Sequence, residues 1–481
     1  MMTSLKQRTF KAILWDLVGR FLTQGSSFVL TIILARLLDP EEFGIVAMAM
    51  AFITISNVFV DFGFSSALIQ NQENTSLTYS SVFYFNVFAG LSITIIIYLL
   101  APAIGSFYGN ESIVNLVRCL SLVFLFNSFN RVQNAILSKE LNFKSLSMRL
   151  LVASILGGIG GVILAYNNYG VYSLVFQTLS TAFFSTILLW STSKWKPDLK
   201  FSFNEVQKLF GFSSYAFFER LINNVFMRLD VLLIGKIFTP LSVGFYTRAS
   251  SLKDQVTKYS STSITRVFYP VLSSLQSNDQ EFQRIYFRLI SVIIFMSFGL
   301  SGVLYILGED IIVFLFGLKW MPSVLMFKLL VLTSCNQPLN SMMWNAIMSK
   351  GKSKENFYFS LCKKSVGIIP FVIAYNYGLL AFIISWVVMN YVITFMNIVA
   401  VNLFLKISLW KHVHKFFIAI IPLILSILLF NSLNITLFKN RILFASGFTF
   451  IYLIYHWAVK SEGFIFILDN IKGLFKSLVK N

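Results

Sequence analysis

The residues best able to do chemistry in this chain are charged side chains that interrupt long apolar stretches. In the first half these are Arg20 and Asp61. The second half holds a denser group, which runs from Glu219 and Arg220 to Arg266. Because a charge inside a membrane is costly, such residues usually line a cavity or a transport pathway and do not face lipid.

The second group contains more positive than negative charge. Asp254 and Lys258 are spaced to neutralise each other along a helix, which leaves arginines and Lys253 in excess. A cationic cavity favours an anion, and phosphate suits arginine because the planar guanidinium donates two parallel hydrogen bonds. The predicted substrate-binding residues are Arg20, Arg220, Arg228, Lys253 and Arg266. The candidates for ion coupling or for structural ion pairs are Asp61, Glu219 and Asp254.

An internal repeat relates Arg20 to Arg220. Residues 33–49 (ILARLLDPEEFGIVAMA) return as residues 233–249 (LIGKIFTPLSVGFYTRA), so that Gly44 corresponds to Gly244. Two further matches follow in the same order, NAILSK with NAIMSK and AYNNYG with AYNYG. Three matches in register indicate that the chain contains a duplicated unit, and the first offset places Arg220 at the position of Arg20.

A polar stripe accompanies Arg20. Asp16, Arg20, Gln24, Ser27 and Thr31 recur at helical spacing and share one face. That face is expected to avoid lipid. Asp61 reaches a similar depth in the next apolar stretch and can pair with Arg20. The alternative to a role in a central cavity is that this ion pair is structural and holds the two stretches together.

Membrane helices carry these charged residues. The chain has 481 residues, of which 56% are hydrophobic and 12% charged, and about 20 apolar residues span a bilayer. We predict an all-α polytopic membrane protein with about fourteen transmembrane helices. The predicted spans are residues 12–38, 43–70, 79–102, 112–136, 146–166, 170–192, 209–237, 241–272, 285–308, 323–348, 357–376, 378–403, 415–432 and 441–459.

The net charge of +19 does not indicate nucleic-acid binding, because its distribution follows the positive-inside rule. With both termini in the cytoplasm, 24 Lys and Arg residues lie in cytoplasmic segments and five in outer ones. The first apolar stretch is too long for a cleavable signal peptide, so we expect it to remain as a helix. Basic residues near span ends are expected to extend towards the interface: Arg118, Arg131, Arg248 and Lys328.

The repeat units contain an even number of spans, so the two copies have the same orientation in the membrane. We predict two six-helix lobes, residues 1–195 and 200–405, joined by a polar linker of residues 191–208. Two extra helices occupy residues 406–460, and residues 461–481 form a cytoplasmic amphipathic tail. The motif at Asp39 and Pro40 has the residues of a helix start and favours a structural role.

The sequence offers no sign of a metal or cofactor site. The three cysteines fall in or beside apolar spans, and His412 and His414 are expected in a basic loop. No spacing typical of metal ligands, nucleotide-binding loops or catalytic nucleophiles is present. A glycosyltransferase or polymerase would need a sizeable outer loop or clustered acids. We therefore expect a protein that is not an enzyme and that has no cofactor.

The ARLLDPEEFG motif, the fourteen spans and the six-plus-six repeat resemble the Wzx-type polysaccharide exporters of the multidrug/oligosaccharidyl-lipid/polysaccharide superfamily. The resemblance implies a two-lobed flippase in the bacterial cytoplasmic membrane. It would move an undecaprenyl-pyrophosphate-linked oligosaccharide from the inner to the outer leaflet by alternating access, for O-antigen, capsule or exopolysaccharide synthesis.

Family members have cationic residues in a central cavity, a role that the resemblance assigns here to Arg20 and Arg220. Membrane lipids, a polysaccharide polymerase and glycosyltransferases are the implied partners. The resemblance transfers no ion-coupling residue. The alternative is a cation-coupled multidrug exporter of the same fold, which we expect to carry an acidic cavity.

Overall fold

The computed structural model describes the backbone of residues 2–433 and 437–479. It describes the side chains of residues 14–211, 213–257, 268–433 and 437–472. Eighteen α-helices fill these residues, and no strand occurs among them. The prediction of an all-α polytopic protein is therefore confirmed.

The chain divides into two compact units, Met1–Gly244 and Phe245–Asn481. The helices of the first unit are α1 (Met2–Leu37), α2 (Pro40–Ser56), α3 (Phe64–Gln70), α4 (Ser76–Tyr108), α5 (Ser112–Lys139), α6 (Phe143–Tyr166), α7 (Tyr172–Thr192) and α8 (Phe203–Ile237). α9 (Pro240–Ser274) begins in this unit and continues into the second.

The second unit continues with α10 (Asp279–Ile306), α11 (Gly308–Phe316), α12 (Ser323–Val331), α13 (Asn336–Ser349), α14 (Ser353–Val366), α15 (Ile369–Leu405), α16 (Leu409–Ser432), α17 (Phe438–Ala458) and α18 (Glu462–Val479). A non-helical residue, Gly378 with φ +85°, interrupts α15 at the predicted boundary between the eleventh and twelfth spans.

All fourteen predicted spans coincide with helical segments. Within the described ranges, nine helical stretches are long and apolar enough to cross a membrane, or ten if the bent pair of α17 and α18 forms one span. The smaller number has physical causes. Charged residues lower the hydropathy of α8 and α9, the tenth span is divided between the short α12 and α13, and the eleventh and twelfth merge into one apolar stretch.

Small residues allow α1 to pack closely on α6. A Cβ at Gly19 would overlap Ser147, and a Cβ at Gly158 would overlap Leu30. Close approach through small residues is how helices associate in lipid, where no hydrophobic effect drives them together. Arg20 follows Gly19, so the polar stripe of α1 runs beside this packed face. Phe21, the next residue along α1, is exposed.

The predicted linker is held against the start of α4. The Ser76 hydroxyl donates to Asp198 Oδ2 at 2.6 Å. The backbone N–H groups of Asp198 and Ser202 donate to the hydroxyls of Ser80 and Ser81, both at 2.9 Å. These contacts fix where α8 begins, and α8 then packs along α2, α3 and α4.

Glu205, in the first turn of α8, completes this attachment. Its carboxylate accepts a hydrogen bond from Lys208 Nζ at 2.5 Å and another from the Thr78 hydroxyl. These two bonds, that of Lys208 foremost, lower the pKa of Glu205 below its ordinary value. The attachment of the linker therefore favours the ionised form of this carboxylate.

In the second unit, α10 is the central helix and contacts α16, α17 and α18. α18 turns by 98° from α17, so the two helices are nearly perpendicular. His412 was expected in a loop, but it lies in α16 and is buried. It shares a hydrogen bond of 2.9 Å with the Tyr286 hydroxyl. That expectation was wrong because α16 begins before the apolar residues that mark the span.

Candidate functional site

A polar break divides the second predicted span between α2 and α3. Phe62 and Gly63 have φ values of +45° and +83°, in the left-handed region that glycine adopts readily and phenylalanine rarely. Asp61 stabilises the start of α3, because its Oδ1 accepts hydrogen bonds from the Ser65 backbone N–H at 3.1 Å and the Ser65 hydroxyl at 2.7 Å. We call residues 57–66 the helix break.

Arg220 of α8 binds to the helix break. Its Nη1 donates to Asp61 Oδ2 at 3.1 Å, and its Nη2 donates to the Ser66 hydroxyl at 2.5 Å. The side chain of Asp61 is 4% exposed, whereas that of Arg220 is 44% exposed. A guanidinium has five N–H donors, so these two contacts leave donors for a ligand. Arg220 is thus a half-exposed cation that is held in place by the buried carboxylate of Asp61.

Aromatic packing holds α8 over the break. The ring of Phe62 stacks on Phe217 with centroids 5.0 Å apart, and Phe59 packs edge-on against Phe217 at 5.1 Å. A Cβ at Gly63 would overlap the carbonyl oxygen of Ser213, so the backbones are in close contact. The left-handed turn and the absence of a side chain at Gly63 together allow Arg220 to reach Asp61.

The helix break also recruits a cation that the sequence did not assign to it. Arg131 of α5 donates from Nη2 to Asn57 Oδ1 at 3.2 Å. Asn127, one turn earlier in α5, donates to the same oxygen at 3.3 Å. Arg131 was expected to extend towards the interface, but it bonds inside the protein. The spacing of Asn57 from Asp61 and of Asn127 from Arg131, one helical turn in each case, was the available signal.

Arg20 lies in a different setting. Its Nε donates to Asp16 Oδ1 at 2.8 Å, one turn away on the same helix, and the two side chains are 57% and 17% exposed. The expected pairing of Arg20 with Asp61 does not occur, because Asp61 turns towards α8 at the helix break. The structure therefore brings together Asp61 and Arg220, and it leaves Arg20 on the polar stripe of α1.

The remaining candidates are placed as follows. Arg228 and Glu219 are exposed on α8, and among the described side chains neither forms an ion pair. In the second unit, Lys253 Nζ lies 2.5 Å from Asp254 Oδ1. Asp254 was expected to pair with Lys258, but the side chains of Lys258 and Arg266 lie outside the described residues.

The two copies of the repeated motif contact each other within the first unit. A Cβ at Gly44 would overlap the carbonyl oxygen of Pro240, and a Cβ at Gly244 would overlap that of Pro40. Each copy thus meets its own equivalent, as residues do beside a two-fold axis. The structural role expected for Asp39 is confirmed, since its backbone N–H donates to Glu42 Oε2 at 2.8 Å in a capping box.

The many apolar helices define a multi-pass membrane protein, and its α8 carries a half-exposed arginine, Arg220. Residues 33–325 match the sequence model of a family described as "Polysaccharide biosynthesis protein". The match covers more than half of the chain, and the chain belongs to this family.

Two curated relatives cover most of the chain. The lipopolysaccharide biosynthesis protein WzxC of Escherichia coli (strain K12) is 23% identical over 372 residues, which is 77% of this chain and 76% of WzxC. An uncharacterised membrane protein in the cps region of Klebsiella pneumoniae is 24% identical over 497 aligned residues and covers 99% of both chains. The resemblance to Wzx-type proteins found in the sequence is therefore confirmed.

The fold is also similar to that of solved membrane proteins. The lipid II flippase MurJ, in an inward closed conformation, superposes with a TM-score of 0.71 at 16% identity. The similarity covers 93% of this chain and 99% of MurJ. At this level of identity the comparison establishes the shared fold.

Proposed function

We propose that this protein is a flippase for undecaprenyl-pyrophosphate-linked oligosaccharide repeat units. It moves them from the inner to the outer leaflet of the bacterial cytoplasmic membrane for O-antigen, capsule or exopolysaccharide synthesis. Both termini are cytoplasmic in this proposal. A polysaccharide polymerase and glycosyltransferases would act in the same pathway, before and after transport.

One observation carries this proposal: Arg220 is held in a membrane protein by a buried carboxylate and remains half-exposed. A charge at such a position usually belongs to a transport pathway, and arginine is well suited to phosphate. Family membership and the printed names of WzxC and MurJ support a lipid-linked glycan as the cargo.

Substrate binding would exchange one anion for another at Arg220. In the empty protein Asp61 neutralises the guanidinium, and the pyrophosphate of the substrate competes with Asp61 for it. Arg20, at the equivalent position of the first repeat, supplies the second cation. Its ion pair with Asp16 is more exposed and opens at lower cost.

Alternating access requires one end of the pathway to close. The contact between Gly44 and the second copy of the motif lies at the predicted outer ends of α2 and α9 and would keep that end shut. Outward movement of an anion is favoured by about 2.3 kcal/mol per charge per 100 mV when the inside is negative. Asp61, Glu219 and Asp254 stay candidates for ion coupling.

Export in cells that lack their own flippase for the same glycan tests this proposal. Arg20→Ala and Arg220→Ala should each reduce export and leave lipid-linked repeat units on the inner leaflet. Loss of one charge-assisted hydrogen bond, worth about 1.5–3 kcal/mol, corresponds to an affinity change of roughly 10- to 100-fold. Lys200→Ala, an exposed linker substitution, is the matched control and should export normally.

Membrane insertion of every variant is checked by extraction and gel filtration. Arg220→Lys keeps the charge and should retain part of the export. It replaces Arg220→Ala in the test if the alanine variant is unstable. Normal export by both alanine variants would remove the two arginines from the mechanism. Export of organic cations in place of glycan would support the multidrug alternative.

A further inference from the structure

A cleft of about 1060 Å³ opens in the second unit between α10, α16 and α18. Four basic residues line it in two pairs, each spaced by one helical turn. Five residues of α18 also line the cleft. We call this cleft the basal cleft, and its defining residues are Arg284, Arg288, Lys411, Lys415, Phe466 and Asp469.

Two of the four cations already have carboxylate partners. Lys415 Nζ lies 2.7 Å from Glu462 Oε2, and Arg284 Nη1 lies 3.4 Å from Glu281 Oε2. Asp279, an acid that lines the cleft, is 2.6 Å from Lys350 Nζ. These acids therefore do not balance the remaining two cations.

Arg288 and Lys411 are those remaining cations. Among the described side chains neither has a carboxylate within ion-pair distance, and each lies over an aromatic ring instead. The guanidinium of Arg288 is 5.4 Å from the centre of Phe466, and Lys411 Nζ is 5.7 Å from that of Phe287. Even if Asp469 neutralised one of them, a positive charge would be left over in the cleft.

The position of α18 places this charge at a membrane surface. α17 coincides with the last of the predicted spans, and α18 turns away from it by 98°. A helix perpendicular to a spanning helix lies along the interface, at the level of lipid headgroups. α18 is closely attached, since a Cβ at Gly463 would overlap the carbonyl oxygen of Ser291.

We propose that the basal cleft binds the phosphate of an anionic membrane lipid through Arg288 and Lys411. Basic pockets between helices at the membrane surface suit such headgroups, and a guanidinium and an ammonium from different helices can bind one phosphate from two sides. The phosphate contacts would link α10 to α16 beneath α18. This site is separate from Arg220, so it does not depend on the proposed flippase function.

Native mass spectrometry of the full-length protein in detergent tests this site. Phosphatidylglycerol is the probe, and phosphatidylcholine, which carries phosphate without net charge, is the comparison lipid. Wild type should retain phosphatidylglycerol adducts in excess over phosphatidylcholine. The double variant Arg288→Ala/Lys411→Ala should lose that excess by on the order of tenfold, the effect of about 1.4 kcal/mol.

Lys354→Ala removes an exposed cation elsewhere in the second unit and should bind lipid as wild type does. Arg288→Lys/Lys411→Arg keeps both charges and should retain binding, which separates loss of the site from misfolding. Glycerol phosphate, added as a soluble competitor, distinguishes a lipid headgroup from a free phosphate as the ligand. If it displaces the lipid, the cleft recognises the phosphate alone. Equal adducts in wild type and the double alanine variant, or equal binding of the two lipids, would overturn the proposal.

Discussion

Arg20 and Arg220 occupy equivalent positions of a duplicated sequence, yet their surroundings differ. Arg20 bonds to Asp16 on its own helix, and both partners reach the surface of the first unit. Arg220 bonds across helices to Asp61, which is almost fully buried at the helix break. The two copies thus share the cation and differ in its partner. The two arginines are therefore expected to serve the same ligand while contributing differently to stability.

The contrast follows from the energetics of ion pairs. An exposed pair one turn apart on a helix stabilises by about 0.3–0.5 kcal/mol. Removing one partner of a buried pair costs on the order of 3–5 kcal/mol, because the other charge stays buried. The Asp61 pair lies between these limits, since Arg220 is half-exposed and Ser65 also bonds to the carboxylate.

Replacing Arg20 and Arg220 in turn by alanine should reveal the difference in stability between the two ion pairs most strongly. Arg220→Ala should lower the free energy of unfolding by about 1–3 kcal/mol, because it leaves buried Asp61 without its cation. Arg20→Ala should lower it by about 0.5 kcal/mol or less. Denaturation of the purified proteins in detergent measures both values. Equal losses would mean that the two ion pairs do not differ as described.

A second test uses the residues that the two copies share. Gly44→Ala and Gly244→Ala should each destabilise the observed contact by about 1–3 kcal/mol, since the new methyl group overlaps a backbone carbonyl oxygen. The control is Gly447→Ala, where no atom lies within 4 Å of the new Cβ. Crosslinking between cysteines introduced at the start of α2 and at the start of α9 reports whether this contact forms. Undiminished crosslinking in both alanine variants would contradict the contact.

The smallest effect concerns the attachment of α8. The pKa of Glu205 is lowered in the folded protein, so its stabilising contribution is present above the ordinary carboxylate pKa and is lost as pH falls through the lower, folded-state pKa. Glu205→Gln should therefore be less stable than wild type at neutral pH, and the difference should disappear as pH falls below the folded-state pKa of Glu205. Thermal denaturation at several pH values measures it. Parallel pH profiles for the two proteins would exclude Glu205 from the attachment.

Much of this architecture could be predicted from the sequence. Apolar length located the helical segments of all fourteen predicted spans, but it missed the short α11. The repeat identified Arg20 and Arg220 as equivalent. The partner of Asp61 could not be predicted in this way, because residues 43–70 have the composition of one continuous span. Only the left-handed Phe62 and Gly63 turn the carboxylate towards α8. Arg131 was missed for a related reason, since its contact with Asn57 depends on how α5 packs on the helix break.

Competition between Asp61 and the ligand for Arg220 is tested by the affinity for a prenyl pyrophosphate. The affinity is measured with purified wild type, Asp61→Asn and Arg220→Ala. If ligand phosphate and Asp61 compete for Arg220, removing the negative charge of Asp61 should tighten binding, and removing Arg220 should weaken it by roughly tenfold or more. Lys200→Ala should bind as wild type does. Weakened binding in both site variants, or unchanged binding in Arg220→Ala, would show that the pair is structural and that the pyrophosphate does not bind there.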